Sequence, residues 1–208
     1  MVAISGSAAL QGLRDHGRVE PGQKVLIIGA SGGVGTFAVQ IARTFGAHVT
    51  GVCSPTKLDM VRSIGADQVI DYTSEDFADG RRRWDVILDI GGSSSLKRLR
   101  RALTPRGTLV IVGGEGGGRW LGVVNRLIQA MALSPFVGQK LSAFVSKENH
   151  EDMLVLKELI ESGKVAPVID KTYPLSEVPE AIRCLEAGQV QGKVVITGLT
   201  YKNTLGLP

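Results

Sequence analysis

Unbroken apolar runs alternate along this chain with stretches whose apolar residues recur every three or four positions. Lys24–Ala30 (KVLIIGA) is a continuous run, as expected for a strand buried on both faces. In Gly33–Phe45 the residues Val34, Phe37, Ala38, Ile41, Ala42 and Phe45 share one helical stripe. His48–Cys53 reads as a second strand, and Pro55 suits the first turn of a following helix, where its missing N–H costs nothing. Leu58, Val61 and Ile64 form that helix's inner face, with Gly65 closing it. Further strands are expected at Gln68–Tyr72, Asp85–Ile90, Thr108–Val112 and Leu141–Ser146, and helices at about Ser94–Leu103, Trp120–Leu133 and Glu151–Glu161. Strand and helix taking turns in this way predict an α/β fold. It would be a doubly wound parallel sheet of the Rossmann type, with about six strands.

The ends break the rhythm. Met1–Arg18 reads as a helix with Leu10 and Leu13 on its apolar side. Beyond Gly163 the pattern becomes extended (Pro167–Pro174), helical (Ser176–Glu186) and extended again (Gly192–Thr197), a tail leaving the main sheet. The expected division is a lead-in helix over residues 1–20, an α/β domain over 21–165 and a returning segment over 166–208.

Composition narrows the class without naming it. The 208 residues are 43% hydrophobic and 21% charged, which excludes wholesale disorder. No apolar run approaches the roughly 20 residues of a membrane-spanning helix, and the first residues lack a basic start to a secretory signal. Cys53 and Cys184 have no Cys or His neighbours at metal-ligand spacing, so reduced thiols in a cytoplasmic protein and no metal site are expected. A net charge of +4 favours an anionic ligand but is too weak to imply nucleic acid. Gly is the outlier, at 27 residues.

Those glycines concentrate where chemistry is expected. Gly29-Ala30-Ser31-Gly32-Gly33-Val34-Gly35 lies directly after a buried strand and directly before an amphipathic helix. In register with the dinucleotide fingerprint, Ala30, Gly32 and Gly35 take the three glycine places. Gly32 lets the backbone approach a pyrophosphate and Gly35 lets helix and strand pack closely. The free N–H groups of the helix start then point at the phosphates, aided by the helix dipole, and Ala30, Ser31, Gly32, Gly33, Val34 and Gly35 are the candidate cofactor-binding residues of the loop. No Lys follows as a GxxxxGK[ST] cradle requires, and none of Tyr72, Tyr173 or Tyr201 heads a Tyr-x-x-x-Lys pair.

An NAD site usually carries Asp or Glu at the end of the second strand to hold the ribose 2′-hydroxyl. Here that place reads Val52-Cys53-Ser54-Pro55, and the first acid, Asp59, lies inside the next helix. Without that carboxylate a 2′-phosphate is not repelled, and Ser54 and Lys57 offer it a hydroxyl and an ammonium. Tyr72, ending the third strand, adds a phenol. The competing reading makes Lys57 a solvated helix residue and Tyr72 core. NADP(H) is the expected cofactor.

In these stretches the chain resembles the zinc-free quinone-oxidoreductase branch of the medium-chain dehydrogenases/reductases, the zeta-crystallin-like group. The similarity runs through Gly22–Gly35, GAHVTGV and SIGADQVIDY within 46–72, Asp85–Gly92 (DVILDIGG) and PVIDKTYPLSEVPEAIRCLEAGQVQGKVVIT at 167–197. The resemblance implies that Ser54, Lys57 and Tyr72 surround the adenosine 2′-phosphate. It places the nicotinamide over Val112, Gly113 and Gly114 and over Phe144, Val145 and Ser146. It further implies hydride transfer from NADPH to a quinone or activated enone, and a homodimer paired through the edge strand at 141–146. Similar enzymes carry an N-terminal catalytic domain before the cofactor domain, so this chain alone is expected to be catalytically poor, with catalytic residues unassigned. Ala8 stands where relatives often have a threonine near the nicotinamide.

Other signals are weaker. Arg81-Arg82-Arg83-Trp84 and Lys97-Arg98-Leu99-Arg100-Arg101 read as solvated charge, with too few aromatics for a single-strand platform. Gly113–Gly118 is either a linker or a loop admitting the nicotinamide. His16, His48 and His150 have no partner that sequence can place. Two alternatives stay open: a nucleotide-sensing Rossmann module without catalysis, and the cofactor domain of a zinc alcohol dehydrogenase, whose metal ligands would lie before Met1.

Overall fold

The computed structural model describes residues 2–92, 94–112 and 138–198. The expected helix at 120–133 lies outside them, as do Gly113 and Gly114. Strands β1 (Lys24–Ile28), β2 (His48–Cys53), β3 (Gln68–Asp71), β4 (Trp84–Asp89), β5 (Leu103–Val112) and β6 (Lys140–Phe144) form one sheet in the order β3-β2-β1-β4-β5-β6. Every pairing is parallel. This is the doubly wound α/β arrangement that the strand–helix alternation predicts.

Alternation along each strand builds two cores. Val25 and Ile27 of β1, Val86 and Leu88 of β4, and Val110 and Val112 of β5 face one side of the sheet. There they meet α1 (Val2–Gln11), α2 (Gly35–Thr44), α3 (Leu58–Ser63) and α5 (His150–Glu161) through Leu10, Phe37, Ile41, Val61 and Leu156. Leu26, Ile28, Ile87, Leu109 and Ile111 face the other side. They meet Leu96, Leu99 and Ala102 of α4 (Leu96–Ala102), together with Phe77 and Trp84. Successive side chains on a strand point to opposite faces, so a run such as VLII is what a sheet covered on both sides requires. Truncating one of these buried aliphatics to alanine is worth about 2–5 kcal/mol.

Chain order explains where the site falls. The chain runs from β1 outward to β3, then crosses back to β4 on the other side of β1. The loops after β1 and β4 therefore diverge at the carboxyl ends, the crevice where open α/β sheets take their ligands. The Ile90 and Gly91 N–H groups both donate to the Ile28 carbonyl at 3.1 Å, fixing the second loop against the first.

The tail forms a second unit. β7 (Ile169–Pro174) and β8 (Lys193–Thr197) pair in parallel as a separate two-stranded sheet, bridged by α6 (Val178–Glu186). Tyr173, Ala181, Cys184 and Val190 form its small core. Gln40 of α2 fastens the approach to it, exchanging hydrogen bonds of 2.9 and 2.8 Å with the backbone of Ala166.

Several boundaries differ from expectation. The first helix ends at Gln11 and continues as a wider π turn over Gly12–His16, so it is not one helix to Arg18. β5 begins at Leu103 rather than Thr108, with a register shift against β4 where Pro105 and Gly107 interrupt the run. β6 stops at Phe144, leaving Val145 and Ser146 beyond the strand.

Candidate functional site

The turn after β1 is made by Gly29, at φ +87°, a conformation that side chains disfavour. Its N–H and that of Ala30 both donate to the Val52 carbonyl at 3.1 Å, and its carbonyl accepts the Gly32 N–H at 3.1 Å. Ala30 is fully buried and its N–H is engaged by Val52, so that N–H is not among the loop's open donors. The tight-turn role belongs one position earlier, because Gly29 carries the positive φ.

The rest of the loop is shaped for close approach. A Cβ on Gly32 would meet only the Gly29 oxygen, at 3.5 Å, so its outer side is open. The N–H groups of Gly33, Val34 and Gly35 have no hydrogen-bond acceptor among the described residues. They stand at the start of α2, whose first turn contains no acid to offset the helix dipole. Ser31 is buried, and its carbonyl accepts the Gly192 N–H at 2.8 Å, so the returning segment rests on the loop.

That contact introduces a residue the sequence did not single out. Lys193, the first residue of β8, donates from Nζ to the Ser5 hydroxyl at 2.8 Å. The same Nζ lies 3.2 Å from where a Cβ on Gly33 would stand. An ammonium thus joins the helix dipole beside the glycine loop. Only a basic residue following Gly192 hinted at this, and nothing in the sequence pointed to Ser5.

A second group of residues gathers at the ends of β2 and β3. Cys53 and Asp71 are register partners, so Ser54 and Tyr72, each one step further, leave the sheet side by side. Ser54 is extended, and its carbonyl accepts the Lys57 N–H at 3.0 Å. Tyr72 is 58% exposed, which removes the reading of it as core. Lys57 is not a solvated helix residue either. It is half-buried, and its Nζ donates to the carbonyls of Gly188 at 2.8 Å and Val190 at 2.7 Å.

The nearby acid is occupied. Asp71 accepts the Thr73 N–H at 2.9 Å and the Thr73 hydroxyl at 2.7 Å, and these bonds hold its carboxyl below the usual carboxylate range. Burial pushes the Cys53 thiol up to about 11, with Asp71 adding to the effect. The end of β2 therefore presents a hydroxyl and an ammonium, and no carboxylate stands where an NAD site places one.

The third group lies at the ends of β5 and β6. Val112 and Phe144 are register partners. The Phe144 ring stacks on His16 with centroids 4.1 Å apart and planes 15° from parallel, and His16 Nδ1 is 2.9 Å from the Ser142 hydroxyl. Val145 is 72% exposed and Ser146 half-buried. The structure so brings the glycine loop, the Ser54–Lys57–Tyr72 group and the Val112–Phe144 pair to one end of the sheet. A cleft of about 690 Å³ lies at the opposite end, where Asp15, Glu20 and Asp85 balance Arg18, Arg106 and Lys140. Among the described residues no group of three or more His, Cys, Asp or Glu side chains is placed to hold a metal ion.

The zinc-binding dehydrogenase family profile matches residues 64–196. The chain belongs to the medium-chain dehydrogenase/reductase family. It is 37% identical to the bovine (Bos taurus) mitochondrial NAD(P)H oxidoreductase RTN4IP1, over 94% of this chain and 53% of that protein. It is 34% identical to the chloroplastic NADPH-dependent alkenal/one oxidoreductase of Arabidopsis thaliana, over 84% of this chain and 40% of that one. The quinone oxidoreductase of Coxiella burnetii superposes with a TM-score of 0.77 at 29% identity, over 92% of this chain and 57% of that chain. The chain spans about half the length of the curated relatives it matches.

Proposed function

We propose that this chain is the NADP(H)-binding unit of an oxidoreductase that transfers hydride from NADPH to a quinone or an activated enone. The observation that carries the reading is the pairing of a bare, N–H-rich glycine loop with a β2 end that carries a hydroxyl and an ammonium in place of the acid of an NAD site. Gly32 and Gly33 leave a cradle that a Cβ would narrow, and the N–H groups of Gly33, Val34 and Gly35 suit the two phosphates of a dinucleotide. Ser54, Lys57 and Tyr72, at the ends of β2 and β3, offer donors suited to a 2′-phosphate. Relatives named as NAD(P)H and NADPH-dependent oxidoreductases support the same reading. The coenzyme supplies the hydride; the chain binds it, orients it and keeps water from its reactive end.

The substrate side of the proposal follows from the relatives' names, which include alkenal/one and quinone oxidoreductases. A cleft needs two walls, and reactant positioning is worth several orders of magnitude in rate. We therefore expect the isolated 208 residues to bind coenzyme yet reduce quinones poorly. β6 ends the sheet order among the described residues, so its free edge suits pairing with a second copy in a homodimer.

Titration with NADPH and NADH, followed by nicotinamide fluorescence, tests the reading. NADPH is expected to bind tighter, and Lys57→Ala to abolish the difference. Equal binding of both coenzymes by the unmodified chain overturns the 2′-phosphate assignment, and quinone turnover at ordinary enzymatic rates overturns the expected inactivity.

A further inference from the structure

Lys57 reaches across the fold to the turn between α6 and β8, more than 130 positions away in the chain. Two of its three ammonium N–H groups meet the Gly188 and Val190 carbonyls, which leaves one donor for another acceptor. The turn that presents those carbonyls is itself held at several points. Gly188 sits at φ +65° and its N–H closes on the Leu185 carbonyl at 3.0 Å, ending α6 in a left-handed cap. The Gln189 N–H donates to the Cys184 carbonyl at 3.2 Å, Val190 is buried in the small core, and the Gly192 N–H grips Ser31.

We infer that the β7–α6–β8 unit is a specificity element for the coenzyme: the Gly188 and Val190 carbonyls hold the Lys57 ammonium in place for the adenosine 2′-phosphate. The inference rests on the reading that this phosphate lies among Ser54, Lys57 and Tyr72. A lysine free in solvent must be ordered when an anion binds, and that ordering weakens binding. Here the ordering precedes the ligand. The two carbonyls hold Nζ without filling its third donor. Preference for a phosphorylated coenzyme then depends on backbone geometry at the far end of the chain, and the coupling is reciprocal: a bound 2′-phosphate firms the turn.

Gly188 offers a way to move the carbonyls alone, because a Cβ there meets nothing within 4 Å. Valine resists a positive φ, whereas asparagine tolerates it. In the full 208-residue chain, Gly188→Val is expected to weaken NADPH binding about fivefold and leave NADH binding unchanged. Gly188→Asn is expected to retain the preference, and Gly188→Val is expected to add nothing in a Lys57→Ala background. Circular dichroism reports whether each variant is folded. An unchanged NADPH/NADH ratio in Gly188→Val, with the ratio lost in Lys57→Ala, overturns the inference and leaves the 2′-phosphate reading intact. A ratio unaffected by Lys57→Ala removes that reading and the inference with it. Equal losses for both coenzymes in Gly188→Val also overturn the inference. Should Gly188→Val not fold, amide exchange on the unmodified chain decides: NADPH is expected to slow exchange at Gly188–Val190 more than NADH does, and equal slowing overturns the inference.

Discussion

A β-carbon on Gly35 would stand 2.1 Å from the carbonyl oxygen of Gly29, and 2.7 Å from the Cα of Ala30. Backbone meets backbone there, so no rotamer change relieves the clash, and α2 would have to lift from the end of β1. Gly35→Ala is expected to destabilise the fold by about 3 kcal/mol, read as a shift in the urea midpoint. Gly32→Ala is the informative contrast. Its new methyl group has room, so stability is expected to hold while coenzyme affinity falls at least about tenfold, because that methyl group occupies the approach to the loop.

Asp152 of α5 is almost wholly buried and accepts hydrogen bonds from Gln11 Nε2 at 2.6 Å, Arg14 at 2.7 Å and Asn149 Nδ2 at 2.7 Å. Burial alone would raise its pKa, but these donors together hold its carboxyl below the usual range. A carboxyl whose folded pKa lies below its unfolded value stabilises the fold above that unfolded value. The contribution is lost as pH falls through the folded pKa. Asp152→Ala is expected to cost about 2 kcal/mol at pH 7, discounted because Arg14 is 40% exposed at its side chain. Urea unfolding at pH 7 and at pH 3 checks this: the gap between variant and unmodified chain is expected to narrow at the lower pH.

The central sheet was legible because three of its inner strands, β1, β4 and β5, carry runs of Val, Ile and Leu covered on both faces. The glycine loop was legible because its spacing follows from one physical demand, backbone exposed between a strand and a helix. Contacts between distant parts of the chain were not legible. Lys193 meets Ser5 across 188 positions, and Lys57 meets the carbonyls of Gly188 and Val190; neither partner carries a local pattern. Asp152 read as one more polar residue in the first turn of a helix, yet its partners Gln11 and Arg14 lie on the lead-in segment. Local rules also failed where residue type misleads. Val145 reads as strand but lies past its end, and the expected strand at Thr108–Val112 leaves out Pro105 and Gly107, although β5 passes through them as an irregular start.

Lys193 and Lys57 are expected to act differently on the coenzyme. Lys193 stands at the glycine loop, where the proposed reading puts the phosphates common to NADH and NADPH, whereas Lys57 stands at the end of β2. Lys193→Ala is therefore expected to weaken both coenzymes by about tenfold, the worth of one charged hydrogen bond, and to leave their ratio unchanged. Parallel titrations of the two alanine variants separate the effects. A selective loss of NADPH in Lys193→Ala would move the 2′-phosphate away from Ser54, Lys57 and Tyr72.

Cys53 offers a probe of the same region without altering it. Its side chain is 3% exposed at the end of β2, and burial holds its thiol up to about 11. The thiolate is the reactive form, so at pH 8 a small disulfide reagent is expected to label Cys53 far more slowly than a free cysteine. Two barriers contribute, access and ionisation, and they separate by experiment. Urea below the global midpoint is expected to speed labelling by opening the ends of β2 and β3, and raising the pH toward 11 by ionising the thiol. A coenzyme bound across Ser54 and Tyr72 closes that route, so NADPH is expected to slow the labelling of Cys53. Rapid modification of Cys53 in the folded chain at pH 8 would show that the end of β2 is open to solvent and that its thiol is not held up by burial.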